Sequence, residues 1–187
     1  MSLKEKLAQS NLKGMLQIPG TSFDLILDHL EDAQNKGLSL IIATTSIQRQ
    51  VKQLNTTALF DWASHELNGA LKIISCGVEK SSVGTEYVEF LPGDTVQGLG
   101  TIQSEKILSS ALFYLDSVDP ASLHPPVSAA RVMIELTTLW PQLPSGCMVA
   151  IGKTASSFDG NTILIGEFMK EQNATKVFLG IQSAWIK

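Results

Sequence analysis

The chain has 187 residues, of which 44% are hydrophobic and 17% charged, and its formal net charge is −4. Disordered chains combine low hydrophobicity with high charge, so this composition predicts a folded globule, and the length fits a single α/β domain over residues 1–187. No apolar run approaches the roughly 18 residues needed to cross a bilayer. No apolar stretch follows Lys4 and Lys6 as a secretory signal requires, so we expect a cytoplasmic protein without a membrane segment.

The first elements alternate between strand and helix periods. Lys13–Ile18 is predicted as a short strand that stops at Pro19–Gly20. Apolar residues spaced by three and four then predict a helix from Phe23, closed by Gly37. The continuous apolar run Leu38–Ala43 is typical of a parallel strand buried on both faces.

The middle of the chain continues this alternation. Helical spacing is predicted over Ser46–Leu54 and Thr57–Leu67, and a compact apolar strand over Leu71–Cys76, ended by Gly77. The pattern then weakens. A strand is predicted within Tyr87–Leu91, and the glycines and polar residues that follow, up to residue 100, indicate an exposed loop.

The segment Ile107–Val118 fits both a helix and a strand, and a helix that leads directly into a strand would satisfy both patterns. The prolines of Asp119–Pro126 predict a surface crossover, and Val127–Leu139 has clear helical spacing. The alternation of strand and helix therefore continues, without an internal sequence repeat.

The final elements are predicted as a strand over Met148–Ile151 and a hairpin of two strands, Thr162–Met169 and Lys176–Ile186. The complete order predicts an α/β fold with a mostly parallel twisted sheet and helices on both faces. Such a fold is a Rossmann-like three-layer sandwich, here ending in a C-terminal β-hairpin.

Two segments have some features of a phosphate-binding loop. Gly152-Lys153-Thr154 has the end of a P-loop, but Gly146 precedes it by one residue too many and the residues between are apolar strand material. The turn Pro19–Ser22 is better placed, because it opens the first predicted helix, whose free N–H groups could hold a phosphate. It has no lysine, so a plain strand-to-helix turn is the simpler interpretation.

No catalytic set or metal site can be assembled from the remaining residues. Cys76 and Cys147 lie in apolar strand contexts and are predicted to be buried free thiols. The three histidines are scattered and are predicted to be structural. The sequence therefore indicates no catalytic residue, no metal and no cofactor.

The order of elements resembles the RecA-type ATPase core. Leu16–Ser22 stands at the phosphate loop, Leu40–Ser46 at the second strand, and Leu112–Ser117 at the strand that carries the magnesium-side aspartate, which would be Asp116. The resemblance implies a RecA-like sandwich with a degenerate P-loop that lacks its lysine. It further implies a non-hydrolysing relative, like Elongator subunits or recombination-accessory proteins. The candidate ligand-binding residues are Gly20, Thr21, Ser22, Thr44, Thr45, Asp116 and Lys153.

Low charge supports the same interpretation. A surface usually carries about a quarter charged residues, so this chain is expected to be covered in part by protein partners or by a homo-oligomer. Only Arg49 and Arg131 are arginines, and the lysines are dispersed, so direct nucleic-acid binding is not expected. The leading hypothesis is a non-catalytic RecA-like module of a larger complex and not an enzyme.

The alternative hypothesis is a small-molecule enzyme or ligand-binding protein with its site at the carboxyl ends of the parallel strands. Glu79 would then serve as a base and Lys153 as an anion anchor. The residues expected at that edge are Thr44, Thr45, Ser46, Gly77, Glu79, Lys80, Lys153 and Thr154.

Overall fold

A computed structural model describes residues 1–14, 23–45, 50–77, 86–91, 93, 95–116, 125–151, 160–178 and 183–187. These residues contain seven α-helices and two short 3₁₀ helices, Asn11–Gly14 and Trp140–Gln142. The α-helices are Leu3–Ala8 (α1), Phe23–Asn35 (α2), Gln50–Glu66 (α3), Thr95–Thr101 (α4), Ser104–Ile107 (α5), Pro125–Leu139 (α6) and Gly160–Glu171 (α7).

The described strands form one seven-stranded sheet with the order β3-β2-β1-β4-β5-β7-β6. Neighbouring strands from β3 to β5 are parallel, whereas β7 is antiparallel to both β5 and β6. The strands are Leu40–Thr45 (β1), Lys72–Cys76 (β2), Val88–Leu91 (β3), Ser110–Asp116 (β4), Met148–Ile151 (β5), Thr175–Phe178 (β6) and Ser183–Ile186 (β7).

Two hydrophobic clusters, one on each face of the sheet, make the fold a three-layer sandwich. Ile41 of β1 packs in the cluster that includes residues of α1, α2 and α3. Its neighbour Ile42 packs in the cluster that includes residues of α4, α5, α6 and α7. Because successive side chains of a strand point to opposite faces, a strand covered on both sides must be apolar throughout. This confirms the predicted sandwich with helices on both faces.

Helix α2 shows how the local sequence sets an element's bounds. Its apolar positions, spaced by three and four from Phe23 to Ala33, are all buried against the sheet. At its end Gly37 takes a φ of 76°, and the Leu38 N–H donates to the Ala33 carbonyl at 3.0 Å. This left-handed closure suits glycine, which has no Cβ to strain, and it confirms the predicted end of the helix.

The predictions for α4 and α7 are wrong. The predicted strand Thr162–Met169 lies in helix α7, where Ile165 and Met169, four residues apart, are both buried. The predicted loop after Leu91 contains helix α4, in which Gly98 is buried. A Cβ placed at Gly98 would lie 3.6 Å from the Cys76 side chain, an ordinary contact distance, so α4 packs close enough to the sheet to favour a small residue there.

The ends of the chain also differ from the prediction. Lys13 and Gly14, the first residues of the predicted strand Lys13–Ile18, belong to a 3₁₀ helix, and residues 15–18 lie outside the described part. The predicted strand Lys176–Ile186 is wrong as one strand, because β6 and β7 divide it and pair with each other. These two strands supply the C-terminal antiparallel pair.

Other predictions are confirmed. The ambiguous segment is a helix that leads into a strand, since α5 ends at Ile107 and β4 begins at Ser110. The predicted helices over residues 46–67 form one helix, α3, within its described part. Among the described residues, no helix has the length and apolar character that crossing a membrane requires.

Candidate ligand site at the carboxyl edge of the sheet

The strand order reverses at β1. The chain moves outward from β1 to β2 and β3, and then returns to place β4 on the other side of β1. In open α/β sheets, a crevice for ligands forms outside the carboxyl ends of the strands at such a reversal. The register places Thr45, the last residue of β1, beside Asp116, the last residue of β4. This pair marks the centre of the candidate site.

The end of β2 lies on the other side of β1. Thr44 is in register with Cys76, and Gly77 follows with a φ of 89°. The Gly77 N–H donates to the Leu91 carbonyl of β3 at 3.1 Å. A residue with a side chain is strained in this conformation, so glycine suits the position that directly follows β2.

A buried polar cluster lies below this edge, between β1, α4 and α6. Glu135 has no exposed surface, and its Oε2 accepts a hydrogen bond of 3.3 Å from the Thr44 hydroxyl. Its Oε1 accepts a hydrogen bond from the Thr95 hydroxyl. Arg131 Nε donates to Thr95 Oγ1 at 3.2 Å and lies 3.8 Å from Glu135 Oε1. We call Thr44, Thr95, Arg131 and Glu135 the Glu135 network.

The network explains how a carboxylate is tolerated in the core. Burying an unpaired carboxylate costs several kcal/mol of folding free energy. Each charge-assisted hydrogen bond to the carboxylate offsets about 1–3 kcal/mol of that cost. Two hydroxyl donors and the Arg131 guanidinium provide this compensation for Glu135. The Glu135 network therefore links β1, α4 and α6 by hydrogen bonds close to the carboxyl edge of the sheet.

The two thiols, Cys76 at the end of β2 and Cys147 just before β5, are not suited to nucleophilic catalysis. Burial raises the pKa of Cys76 to about 12, and the neighbouring Glu135 and Glu89 charges act in the same direction. Burial likewise raises the pKa of Cys147 to about 12. A thiol with such a pKa carries almost no thiolate at neutral pH, so both cysteines serve as core residues, as predicted.

The described histidines lie away from this edge. His29 Nε2 donates to the Ala111 carbonyl, near the start of β4, at 2.8 Å. Burial is the main cause that lowers the pKa of His29, so the neutral ring is favoured. His65 lies 3.7 Å from Asp61 on α3 and packs edge-on against Tyr87. Among the described residues, no three His, Cys, Asp or Glu side chains gather as metal ligands.

The predicted site residues are only partly brought together. Thr45 and Asp116 are neighbours in the sheet, Thr44 is buried in the Glu135 network, and Gly77 ends β2. Their role in binding stays a prediction. The other candidates lie outside the described residues; they are Gly20, Thr21, Ser22, Ser46, Glu79, Lys80, Lys153 and Thr154.

Sequence reasoning missed three residues of the network, Thr95, Arg131 and Glu135. A signal for Glu135 was present, because it stands on the apolar stripe of α6 formed by Val132, Leu136 and Leu139. A lone carboxylate at helical spacing within a buried stripe indicates a buried partner, since an unpaired one would be too costly.

A cavity lies at the opposite, amino edge of the sheet. It has a volume of about 360 Å³ and an apolar wall that includes Leu40 and Ile74. Two lysines line it, but Lys106 is paired with Glu89 at 3.3 Å, and Lys72 Nζ lies 5.1 Å from the ring centroid of Tyr87. The position is far from the strand reversal at the carboxyl ends, so this cavity is not the candidate site.

Comparison with known proteins finds similarity in structure and not in sequence. No protein-family model matches the chain, and no curated protein is similar to it in sequence. The structure of the MycE methyltransferase from the mycinamycin biosynthetic pathway, in complex with Mg and SAH, has a TM-score of 0.62 at 13% identity. The match covers 95% of this chain and 54% of MycE, so the chain spans about half the length of that protein.

Two further structures are matched over most of both chains. CalS11, a TDP-rhamnose 3'-O-methyltransferase of calicheamicin biosynthesis, has a TM-score of 0.53 at 15% identity, over 98% of this chain and 86% of its own. A protein from Staphylococcus aureus assigned as a caffeoyl-CoA O-methyltransferase has a TM-score of 0.55 at 12% identity, over 100% of this chain and 93% of its own. The chain has the fold of these methyltransferases.

This finding corrects the RecA interpretation. The similar structures are methyltransferases with a Rossmann-like sheet, so the resemblance to a RecA-type ATPase core is wrong. The degenerate P-loop, the catalytically silent complex subunit and the expectation of a non-enzyme depended on that resemblance and are wrong with it. The physical reason is that parallel α/β folds share strand and helix order, so short patterns at Leu16–Ser22 and Leu112–Ser117 did not distinguish them.

Proposed function

We propose that this chain is a small-molecule methyltransferase that uses S-adenosylmethionine at the carboxyl edge of the sheet, between β1 and β4. The observation that carries the proposal is the likeness of fold to MycE over 95% of this chain, because the MycE structure holds SAH, the demethylated product of that cofactor. The strand reversal between β1 and β4 supports the location. This is the alternative hypothesis of the sequence analysis, now with a reaction class.

The residue types at this edge fit such a cofactor. S-adenosylmethionine carries ribose hydroxyls, an adenine amino group and an α-amino group, all of which donate hydrogen bonds to carboxylate and carbonyl oxygens. Asp116 at the end of β4 carries a carboxylate, and the register places it beside Thr45 at the end of β1, whose hydroxyl can also accept a hydrogen bond. The cofactor has no phosphate, so the missing phosphate-binding lysine is no obstacle to its binding.

When bound, S-adenosylmethionine supplies an electrophilic methyl group on a positively charged sulfur. Methylation of a hydroxyl breaks the S–CH₃ bond, forms an O–CH₃ bond and releases the hydroxyl proton, so the chain must hold the acceptor oxygen and receive that proton. We assign Asp116 the latter role, because a carboxylate can act as a general base and the register puts this residue at the crevice. Oxygen as the acceptor follows the names of CalS11 and the Staphylococcus aureus protein.

The test is a thermal-unfolding series with S-adenosylmethionine and SAH, followed by a transfer assay. A ligand at 100 times its Kd stabilises a protein by about 2.7 kcal/mol, which raises the Tm of a chain of this size by about 5–11 °C. A tritiated methyl group should then appear on a hydroxyl-bearing small molecule. An unchanged Tm with both compounds at millimolar concentration contradicts the proposal.

A matched pair of variants locates the activity. Asp116→Asn should abolish most methyl transfer, because an amide cannot accept the proton. Removal of a general base typically lowers the rate by about 10²–10⁴-fold. Asp32→Asn is the control. Asp32 is an exposed aspartate on α2, and in the described part of the chain it forms a salt bridge with Lys36. Equal loss in both variants would contradict the assignment of Asp116.

Two expectations of the sequence analysis stay predictions. Protein partners or a homo-oligomer are supported by exposed apolar side chains on α6 and α7, namely Ile134, Ile163 and Leu164. We also retain the cytoplasm as the proposed compartment, where thiols such as Cys76 and Cys147 stay reduced.

A further inference from the structure

We propose that Glu135 is a positioning residue of the carboxyl-edge site, because it holds the start of α4 against the end of β1 and thereby sets the shape of the crevice. This inference rests on the proposed function. Glu135 has no exposed surface, so it acts through Thr44 and Thr95 and does not itself touch a ligand.

The geometry makes Glu135 a bridge between two elements. Its Oε2 accepts from Thr44, which directly precedes the edge residue Thr45, and its Oε1 accepts from Thr95, the first residue of α4. Thr44 and Thr95 are both fully buried, at 0% and 1% exposure. Each carboxylate oxygen thus serves a different element, so the two segments that border the crevice on this face are fixed relative to each other.

The chemistry of the position favours orientation over stability as its purpose. Glu135 stands among Val132, Leu136 and Leu139 in the apolar stripe of α6, where an apolar side chain would also pack. Replacing buried ionic groups with apolar ones is often neutral or stabilising. An apolar side chain has no directional contacts, however, whereas hydrogen bonds specify the distance and angle at which α4 meets β1.

Arg131 is the most exposed member of the Glu135 network. Its Nε donates to the same Thr95 hydroxyl that donates to Glu135, so one threonine is held by two residues one helical turn apart on α6. The Arg131 side chain is 29% exposed while that of Glu135 is 0% exposed. The network therefore runs from the core toward the surface of the carboxyl edge.

The experiment compares Thr95→Val, Thr95→Ser and Glu135→Gln with a control, Ser64→Ala. Ser64 is a fully buried hydroxyl that donates to the Leu71 carbonyl at 2.6 Å, on the opposite face and away from the carboxyl edge. The Kd for SAH is measured by calorimetry and the Tm by circular dichroism. Thr95→Val should weaken SAH binding about 10-fold to 100-fold, the range found when a residue that orients a binding group is lost. Its Tm loss should exceed that of the control, because it removes two hydrogen bonds where Ser64→Ala removes one.

The control and the conservative variant separate positioning from general destabilisation. Ser64→Ala should lower the Tm and leave the Kd unchanged, and Thr95→Ser, which keeps the hydroxyl, should restore wild-type affinity. Hydrogen exchange without ligand provides a readout independent of the cofactor. Amides at Thr44–Thr45 and within α4 should exchange faster in Thr95→Val and in Glu135→Gln than in the wild type.

The outcomes distinguish the two proposals. If the wild type binds SAH and Thr95→Val binds it equally well, the positioning role is wrong and the proposed function stands. If the wild type fails to bind SAH, the proposed function is wrong and the inference about Glu135 fails with it. If Glu135→Gln does not fold, Thr95→Val decides the question, because it removes one buried hydroxyl, as the control does, and leaves the Glu135 carboxylate in place.

Discussion

Helix α7 contains two isoleucines that test its secondary structure directly. Ile163 is 55% exposed and Ile165 is 1% exposed. In the strand predicted from the sequence, Thr162–Met169, residues two apart would share one face. In a helix they are separated by about 200° around the axis, so one is buried while the other faces outward. Alanine at each position therefore distinguishes the two structures with the same chemical change.

The expected effects differ by several kcal/mol. Ile165→Ala removes a buried side chain from the cluster that includes Met169 and Trp140. Large-to-small substitutions of this kind cost about 2–5 kcal/mol. A loss of about 3 kcal/mol lowers the Tm of a chain of this size by about 6–12 °C. Ile163→Ala should change the stability by no more than about 0.5 kcal/mol, since surface substitutions have small effects.

The assay is equilibrium unfolding in urea, followed by far-ultraviolet circular dichroism at two protein concentrations. The two concentrations control for a second copy that covers Ile163, because such an interface would make its contribution depend on concentration. The m-value should stay constant so that the midpoint reports stability. Equal destabilisation by both variants at both concentrations would refute the helix and favour the strand.

Two further predictions concern titratable groups. Cys76 and Cys147, each with a pKa raised to about 12 by burial, should react with a disulfide reagent at pH 8 only at the rate of unfolding; rapid labelling of the native chain would refute their burial. Because burial lowers the pKa of His29 below 6.5, the unfolded chain binds its proton more readily, so stability should fall as the pH drops through 6.5 toward the folded pKa. In His29→Gln, whose amide can still donate to the Ala111 carbonyl, this component of the pH dependence should be absent in urea titrations between pH 8 and pH 5.

The buried parallel strands were the easiest elements to predict. The runs Leu38–Ala43, Leu71–Cys76 and Met148–Ile151 overlap β1, β2 and β5, because strands covered on both faces are largely apolar and such runs are easy to recognise. Local preference gave the wrong prediction for α7, because Thr162 to Ile165 is rich in β-branched residues, which favour strands. There the packing of Ile165 and Met169 against the sheet outweighed local preference.

Helix α4 was missed for a different reason. Gly98 and Gly100 lower helix propensity by about 1 kcal/mol each, so the segment is typical of a loop. The structure favours a small residue at Gly98. A Cβ at this position would already be in van der Waals contact with the Cys76 and Leu91 side chains, at 3.6 Å. Close packing between distant segments decided this helix, and single-sequence patterns do not contain that information.

Thr45 and Asp116 were predicted as site residues from the resemblance to the RecA-type ATPase core, which is wrong. Thr45 and Asp116 follow apolar runs, and the ends of parallel strands meet at one edge in RecA-like and methyltransferase-like sheets alike. The Glu135 network could not be assembled in this way, because Thr44 and Glu135 are 91 residues apart in sequence. Only the tertiary structure brings such residues into contact.

Hydrogen exchange with and without SAH tests the central claim most directly, namely that a methyl-donor cofactor binds where β1 and β4 end. Saturating SAH should slow amide exchange at the C-terminal residues of β1 and β4, around Thr45 and Asp116, and leave the amino-edge cavity at Lys72 and Tyr87 unchanged. Protection confined to the amino-edge cavity, or no protection at any concentration, would contradict the account.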